Sequence, residues 1–193
     1  MTTYIAIEGP DRVGKQTQAS LLRNFLLEKG KSVLLVEVPI KDSITHPVIY
    51  WMLKNGLAKK LPNMFQWLQV VNRKFFEWRT LSSAALKYDY VIFDRWSLST
   101  YVYGAAEGLN ASVLKTMYDS LKVPDATVVL LGRLPGLEAR DSYEKDVGLQ
   151  TRVNMLYRDW AINNEAIVIN ADQHIDIVHQ QIVQQLAESC LVP

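Results

Sequence analysis

The sequence predicts an α/β fold in which helices cover both faces of a five-stranded parallel sheet, giving three layers. Its short apolar runs are continuous and rich in Val and Ile, as in strands that are buried on both faces. These runs alternate with longer stretches of helical pattern without hairpin turn signals, which favours parallel pairing. The predicted strands are Tyr4–Glu8, Ser32–Val38, Tyr90–Phe93, Thr127–Leu131 and Ala166–Ile169.

The helical stretches follow the strands along the chain, and Gly30 ends the first of them, where a left-handed residue is common. No repeat, low-complexity tract or Pro/Gly-rich linker divides the sequence, so residues 1–193 are predicted to form one domain. In such sheets ligands bind at the carboxyl ends of the strands, and we expect the functional residues there. The predicted helices are Lys15–Lys29, Thr45–Lys54, Met64–Lys87, Leu98–Glu107, Ala111–Leu121, Leu149–Ile162 and Gln173–Ser189.

The composition indicates a globular protein with no general attraction for nucleic acid or membranes. Hydrophobic residues make up 49% of the 193 residues, and 21 Lys and Arg nearly balance 20 Asp and Glu. No apolar stretch approaches the roughly 20 residues that span a bilayer, and no secretory signal is visible. The single cysteine, Cys190, cannot form an intrachain disulfide. We therefore expect a cytoplasmic protein that binds neither nucleic acid nor membrane.

The segment Gly9–Lys15 directly follows the first predicted strand and opens the first predicted helix, with the spacing Gly-x4-Gly-Lys of a P-loop. Glycines let backbone N–H groups curl around phosphate oxygens at the positive end of the helix, and the lysine adds a full charge. This segment therefore predicts a nucleoside triphosphate site, against the alternative of a glycine-rich turn with an unrelated lysine. The predicted ATP-binding residues here are Gly9, Arg12, Val13, Gly14, Lys15, Gln16 and Thr17.

The residue after the P-loop lysine is usually Ser or Thr, whose hydroxyl binds Mg²⁺. Here it is Gln16, followed by Thr17. Either the Gln16 amide oxygen reaches the metal or a metal-bound water, or the Thr17 hydroxyl replaces the usual ligand. Both alternatives stay open.

A second motif begins with Asp94 and Arg95, at the end of the predicted strand Tyr90–Phe93, and continues to Ser99 and Tyr103. A carboxylate that emerges from an apolar strand beside the P-loop strand can organise Mg²⁺ and its waters. The planar guanidinium of Arg95 can bind an anion in a bidentate manner. The alternative is an Asp–Arg pair that caps the next helix.

Together these motifs resemble those of the thymidylate kinase family. The P-loop, with Asp11 and Arg12 before Val-Gly-Lys, is similar to a distinctive variant in that family, and the segment from Asp94 to Tyr103 resembles its second motif. The resemblance implies a P-loop nucleoside monophosphate kinase fold, Mg²⁺-dependent transfer of phosphate from ATP to dTMP, and a homodimer. Weaker matches lie at Asn72-Arg73, Pro124–Thr127, Ser142–Glu144 and Asn170–Asp172.

The resemblance also implies roles for individual residues. Asp11 binds the 3′-hydroxyl of the acceptor sugar, Arg12 acts as an arginine finger on the transferring phosphate, and Arg95 holds the acceptor phosphate. Arg12, Lys15 and Arg95 would then be the catalytic residues, while Asp94 organises Mg²⁺. Arg140 lies against adenine in a lid of about residues 133–148, which is short, as in family members with a P-loop arginine. The implied acceptor-binding residues are Asp11, Lys41, Gln69, Arg73, Arg95, Ser99, Tyr103 and Tyr143.

Two positions depart from the family pattern. Gln69 stands where the family has an aromatic residue, four positions before the base-reading arginine, here Arg73. Lys41 stands where an arginine usually helps to bind the acceptor phosphate, and a lysine would act as a looser point charge. The changes leave open a kinase for another deoxynucleoside monophosphate, such as dUMP or dGMP. Gln16 leaves open a non-catalytic nucleotide-binding relative.

The helical segment around Gln69 has one apolar stripe and one polar face. We expect the stripe to form core packing or a subunit interface. The polar face, which carries Gln66, Gln69 and Arg73, is either solvated or lines the base pocket. In the second case the base stacks on another aromatic residue, or the two amides read its edge. The stripe contains Met64, Leu68, Val71, Phe75 and Trp78, and the other candidates for stacking are Phe65, Trp67 and Phe76.

Overall fold

The computed structural model describes residues 1–132 and 146–193, and it contains the predicted five-stranded parallel sheet. The strand order is β2-β3-β1-β4-β5, so the first strand lies at the centre and its carboxyl end is flanked by those of β3 and β4. This arrangement confirms the predicted fold class. The strands are β1 (Thr3–Glu8), β2 (Val33–Glu37), β3 (Tyr90–Asp94), β4 (Ala126–Leu131) and β5 (Ile167–Asn170).

Helices occupy both faces of the sheet. Helices α1 and α9 pack on one face, where Leu22 and Ile182 meet Ile5 and Ile7 of β1. On the other face, helices α2, α4, α6 and α8 share a second apolar cluster with β4. None of the described helices is long and apolar enough to cross a bilayer. The helices are α1 (Lys15–Glu28), α2 (His46–Lys54), α3 (Leu57–Lys60), α4 (Pro62–Phe76), α5 (Ser82–Ala84), α6 (Ser97–Ala106), α7 (Ala111–Asp119), α8 (Val147–Asn163) and α9 (Ile175–Glu188).

The prediction of one continuous helix over Met64–Lys87 was wrong. A π-helical turn, Glu77–Leu81, follows α4 and separates it from α5, since one wider turn interrupts the regular hydrogen-bond ladder. The helix α3 was also not predicted, because it is a single turn whose buried residue, Ala58, gives no periodic signal.

Helix α4 is oriented opposite to the usual rule for amphipathic helices. Its polar face points inward, and Gln66 and Arg73 are each only 2% exposed. Of the apolar stripe, Met64 and Val71 on α4 and Trp78 in the π-helical turn are exposed, whereas Leu68 packs against the second apolar cluster. The expectation of core packing therefore fails for these three exposed residues, and the alternative of a subunit interface stays a prediction. The alternative of a solvated polar face was wrong. The reason is that the interior beside α4 is a polar cavity, which the amphipathic pattern alone does not reveal.

Close packing between the P-loop and β4 requires a glycine at position 9. Gly9 has φ +142, and a Cβ there would lie 2.3 Å from the carbonyl oxygen of Leu130. Gly30 also has a positive φ, +73, but a Cβ there would meet nothing within 4 Å. A side chain at position 30 would therefore introduce backbone strain alone, whereas one at position 9 would add a steric clash to that strain.

We predict that Gly9→Ala lowers the free energy of unfolding by more than about 3 kcal/mol, because strain and a backbone clash add. Gly30→Ala, which introduces strain alone, should lower it by about 1–2 kcal/mol. Urea unfolding followed by circular dichroism measures both losses. Equal losses in the two variants would contradict the packing argument.

Candidate active site

A cavity of about 200 Å³ opens at the carboxyl ends of the strands, between α4 and α6. Its position agrees with the expectation for a parallel sheet. One wall is apolar and formed by Val38, Pro39, Leu53 and Phe65. The rest is polar and contains Asp11, Gln66, Gln69, Arg73, Arg95, Ser99, Thr100 and Tyr103.

The P-loop curls beside this cavity through several residues with positive φ. Gly9, Arg12 and Gly14 have φ of 142, 67 and 87, and α1 begins directly afterwards at Lys15. The Lys15 ammonium is buried, donates to the carbonyl oxygen of Pro10, and has its pKa lowered to about 7 by burial and by the nearby Arg95. A bound phosphate group would counter this repulsion. Val13 packs in the core, so it can offer a phosphate only its backbone.

Arg95 joins the second motif to the P-loop. Because Ile7 of β1 pairs with Asp94 of β3, the residues after both strands lie side by side. The Arg95 guanidinium donates to the Gly9 carbonyl oxygen at 3.2 Å and to Ser99 Oγ at 3.4 Å, and it lies 5.4 Å from the centre of the Tyr103 ring. The P-loop and the second motif are therefore in contact, as expected if both belong to one site.

Asp11 forms an ion pair with Arg95 inside the site. Its other carboxylate oxygen accepts a hydrogen bond from Gln150 Nε2 at 2.7 Å, and its own N–H donates to Gln150 Oε1 at 3.3 Å. Burial opposes ionisation of Asp11, but Arg95 and Lys15 outweigh it, and the pKa of Asp11 lies below its usual value. Gln150 was missed from sequence, because a lone glutamine in a helix carries no motif.

Glu8 is a second residue that sequence reasoning missed. It is the last residue of β1, is fully buried, and accepts hydrogen bonds from the backbone N–H groups of Trp96 and Ser99. Glu8 thus accepts the hydrogen bonds of free N–H groups at the N-terminus of α6. The alternative in which Asp94 and Arg95 cap that helix was therefore wrong. A single carboxylate that ends an apolar strand directly before the P-loop was the available signal.

The polar face of α4 forms the far end of the cavity. Arg73 donates to the backbone oxygen of Gln69 at 2.9 Å and to its side-chain oxygen at 3.2 Å. Burial lowers the pKa of Arg73 to about 10, although Glu8 opposes the shift, and its Nε has no hydrogen-bond partner within residues 1–132 and 146–193. Among the aromatic candidates for stacking, Phe65 lines the cavity, whereas Trp67 is exposed and Phe76 packs elsewhere.

The comparisons agree with this geometry. A family model described as thymidylate kinase matches residues 7–182 of the chain. The chain belongs to the thymidylate kinase family. It is 27% identical over 205 residues to a probable thymidylate kinase of Thermococcus gammatolerans, covering 99% of both chains. It is 26% identical over 200 residues to a thymidylate kinase of Plasmodium falciparum, covering 98% of this chain and 92% of that one.

Solved thymidylate kinases have the same fold. The Candida albicans enzyme superposes with a TM-score of 0.78 at 22% identity, covering 98% of this chain and 93% of that one. The Ehrlichia chaffeensis enzyme superposes with a TM-score of 0.75 at 23% identity, covering 96% and 98%. The predicted P-loop nucleoside monophosphate kinase fold is therefore confirmed.

Gln16 and Lys41, two predicted site residues that depart from the usual pattern, lie near one another outside the cavity lining. Gln16 Nε2 donates to Glu37 Oε1 at 3.2 Å, and the Lys41 ammonium pairs with Glu37 Oε2 at 3.1 Å. Glu37 pairs in register with Asp94 at the ends of β2 and β3. Sequence reasoning missed Glu37, because its position beside Gln16 depends on the strand order. The role of Lys41 in binding the acceptor phosphate stays a prediction.

Asp94 lies partly buried among charged groups. Burial raises its pKa, Glu8 and Glu37 add to that effect, and Arg95 and Lys15 oppose it. Among the described residues, no group of three or more His, Cys, Asp or Glu side chains could hold a metal by itself. Arg140, Tyr143 and most of the predicted lid lie outside the described residues, so their roles stay predictions.

Proposed function

We propose that this chain transfers the γ-phosphate of ATP to dTMP and releases dTDP and ADP. One observation carries the proposal: the guanidinium of Arg95 contacts the P-loop at Gly9, with Asp11 beside it. Donor and acceptor phosphates would therefore meet between two motifs that are already adjacent. Membership of the thymidylate kinase family and the similar length of its relatives support this assignment.

The reaction needs positioning and charge rather than a nucleophilic side chain. An oxygen of the acceptor phosphate attacks the γ-phosphorus while the bond to the β–γ bridging oxygen breaks, and ADP leaves. The P-loop N–H groups hold the donor, and Lys15 and Arg12 oppose the charge that develops on the transferring group. Arg95 keeps the acceptor phosphate in line. All of these residues are present, which argues against a non-catalytic relative.

The Asp11–Arg95 ion pair suggests how the acceptor enters. In the structure the two side chains are paired with each other. The acceptor phosphate would take the place of Asp11 on Arg95, and the released carboxylate of Asp11 would accept a hydrogen bond from the sugar 3′-hydroxyl. The exchange preserves charge pairing in a buried site, where an unpaired charge is costly.

The base would bind between the apolar wall and the polar face of α4. The side chain of Arg73, held by Gln69, has an unpartnered Nε that can donate to a base oxygen. The Thr100 hydroxyl is also buried in the cavity without a partner among the described residues. Hydrogen bonding to the base edge would thus compensate for the aromatic residue that Gln69 replaces.

We propose that Mg²⁺ binds with ATP between Gln16, Thr17 and Asp94. The donor set consists of amide, hydroxyl and carboxylate oxygens, which suit this ion. Because Gln16 Nε2 is bonded to Glu37, its amide oxygen is the atom left for the metal. When bound, Mg²⁺ would neutralise charge on the phosphate oxygens.

We further propose a homodimer that covers the outer face of α4. Met64, Trp67 and Val71 are exposed there, and Val48 and Trp51 of the neighbouring helix α2 are also exposed. Exposed apolar side chains in such numbers indicate an interaction surface, and a second copy of the chain is the occupant implied by the family resemblance. A cytoplasmic location stays a prediction, with which the exposed free thiol of Cys190 agrees.

We predict that dTMP is the preferred acceptor in a panel that includes dUMP and dGMP, with ADP formation as the measurement. Lys15→Ala and Arg95→Ala should each lower kcat/KM by at least about 10²-fold, because each removes charge stabilisation of the transition state. The exposed residues Lys115 and Arg79 offer matched controls, Lys115→Ala and Arg79→Ala. Near-normal turnover in either site variant, or a clear preference for another base, would refute the proposal.

We predict that Gln16→Ala weakens binding of the divalent ion to the enzyme–ATP complex by about ten-fold, since one oxygen ligand is lost. Glu37→Ala should weaken it less, because the amide remains but loses its orientation. Binding of Mn²⁺, followed by electron paramagnetic resonance, provides a measurement independent of turnover. Asp42→Asn, a change at an exposed carboxylate of the following loop, is the control. Unchanged Mn²⁺ affinity in Gln16→Ala would exclude this residue as a ligand.

We predict that the purified chain sediments as a dimer and that Trp67→Lys converts it to a monomer, because a charge would be buried in the contact. Leu86→Lys, at an exposed apolar residue outside the stripe, should leave the dimer intact. Sedimentation velocity distinguishes the two species. A wild-type monomer at micromolar concentration would contradict the proposal.

A further inference from the structure

Glu8 is a buried acidic side chain that no step of the proposed reaction uses directly. Its side chain is 0% exposed, and its carboxylate accepts hydrogen bonds from Trp96 N at 2.7 Å, Ser99 N at 3.3 Å, Ser99 Oγ at 2.6 Å and Tyr157 Oη at 3.0 Å. Burying a carboxylate is costly unless hydrogen bonds compensate, and here four donors from two helices converge on it. Such convergence indicates that the carboxylate organises the groups around it.

The first group that Glu8 organises is the turn that contains Arg95. Arg95 has φ +69, a left-handed conformation that costs a residue with a side chain about 1–3 kcal/mol. Hydrogen bonds from consecutive residues tie this turn to β1: Arg95 N donates to Ile7 O at 3.0 Å, and Trp96 N donates to Glu8. These two hydrogen bonds hold the strained backbone of Arg95 against β1, the strand that precedes the P-loop.

The second group is the N-terminus of α6. The residue at the cap position, Trp96, makes no side-chain cap, so the first turn of the helix depends on Glu8 for the Ser99 N–H. This turn carries Ser99, whose hydroxyl lies between Glu8 and the Arg95 guanidinium. Tyr103, one turn later, places its ring against the same guanidinium. Glu8 thus orients the helix that surrounds Arg95.

The third group is α8. Tyr157 donates to Glu8 from this helix, and Gln150 lies seven residues earlier, on the same face two turns away. Gln150 is the residue that holds Asp11 through two hydrogen bonds. The carboxylate of Glu8 is therefore linked to both members of the Asp11–Arg95 pair, to Arg95 through its turn and to Asp11 through α8.

We propose that Glu8 is the positioning residue of the acceptor site: it fixes Arg95, and through Tyr157 and Gln150 also Asp11, in the geometry that receives a monophosphate ester. The inference rests on the proposed function, because it assigns Arg95 to the acceptor phosphate. We expect the larger effect on the acceptor, since the hydrogen bonds of Glu8 run to α6 and α8, whereas its influence on Lys15 of the P-loop is electrostatic only.

The test compares Glu8→Ala, Glu8→Gln and Tyr157→Phe by calorimetric binding of dTMP and of ATP. Glu8→Ala should weaken dTMP binding by about 10²-fold, because Arg95 and Asp11 lose their fixed positions, and it should weaken ATP binding by less than about ten-fold. Glu8→Gln keeps an acceptor for Trp96 N and Ser99 N, and it should recover most of the loss. Tyr157→Phe should weaken dTMP binding by about 3–10-fold, because one charge-assisted hydrogen bond is lost.

Tyr101→Phe is the matched control, because it removes a hydroxyl from a tyrosine of α6 that packs against Tyr118. If Glu8→Ala does not fold, Glu8→Gln and Tyr157→Phe decide. Equal weakening of dTMP and ATP binding, or lower stability with unchanged dTMP affinity, would overturn the assignment of Glu8. Failure of the wild-type chain to form dTDP would contradict the proposed function instead, so the two ideas fail separately.

Discussion

The contact between Arg95 and the P-loop depends on the parallel pairing of β1 with β3. That pairing places the residues after both strands at one edge of the sheet, and the Arg95 guanidinium reaches the Gly9 carbonyl oxygen. Lys15, Asp11 and Glu8 then lie within one charged cluster, in which each group alters the protonation of others. If the strands were joined in another order, the same residues would give no site.

Local patterns were sufficient to predict most of the fold and the two main motifs. Strands buried on both faces give continuous apolar runs, and the P-loop is recognised because spacing and position after a strand agree. Glu8, Glu37 and Gln150 could not be found in this way. Each acquires its role from a partner far away in sequence, as when Gln150 binds Asp11, and no local pattern encodes that distance.

Helix α4 shows where a general rule fails for a physical reason. The rule that apolar faces point inward assumes an apolar interior, but the interior here is a polar cavity. Arg73 is buried with its charge, held by the oxygens of Gln69 and attracted by Glu8. A buried guanidinium is tolerated because hydrogen-bond acceptors surround part of it, while its unpartnered Nε leaves room for a ligand atom.

The same inversion has a consequence for assembly. A helix is about 10 Å across, so a partner chain on the outer face of α4 would lie one helix diameter from the part of the cavity lined by Gln69 and Arg73. A partner that contacts Trp67 or Val71 and shifts the helix would also shift Gln69 and Arg73, since all four side chains belong to α4. Association of two chains and recognition of a nucleobase would then be coupled through one structural element, with protein concentration acting as an effector.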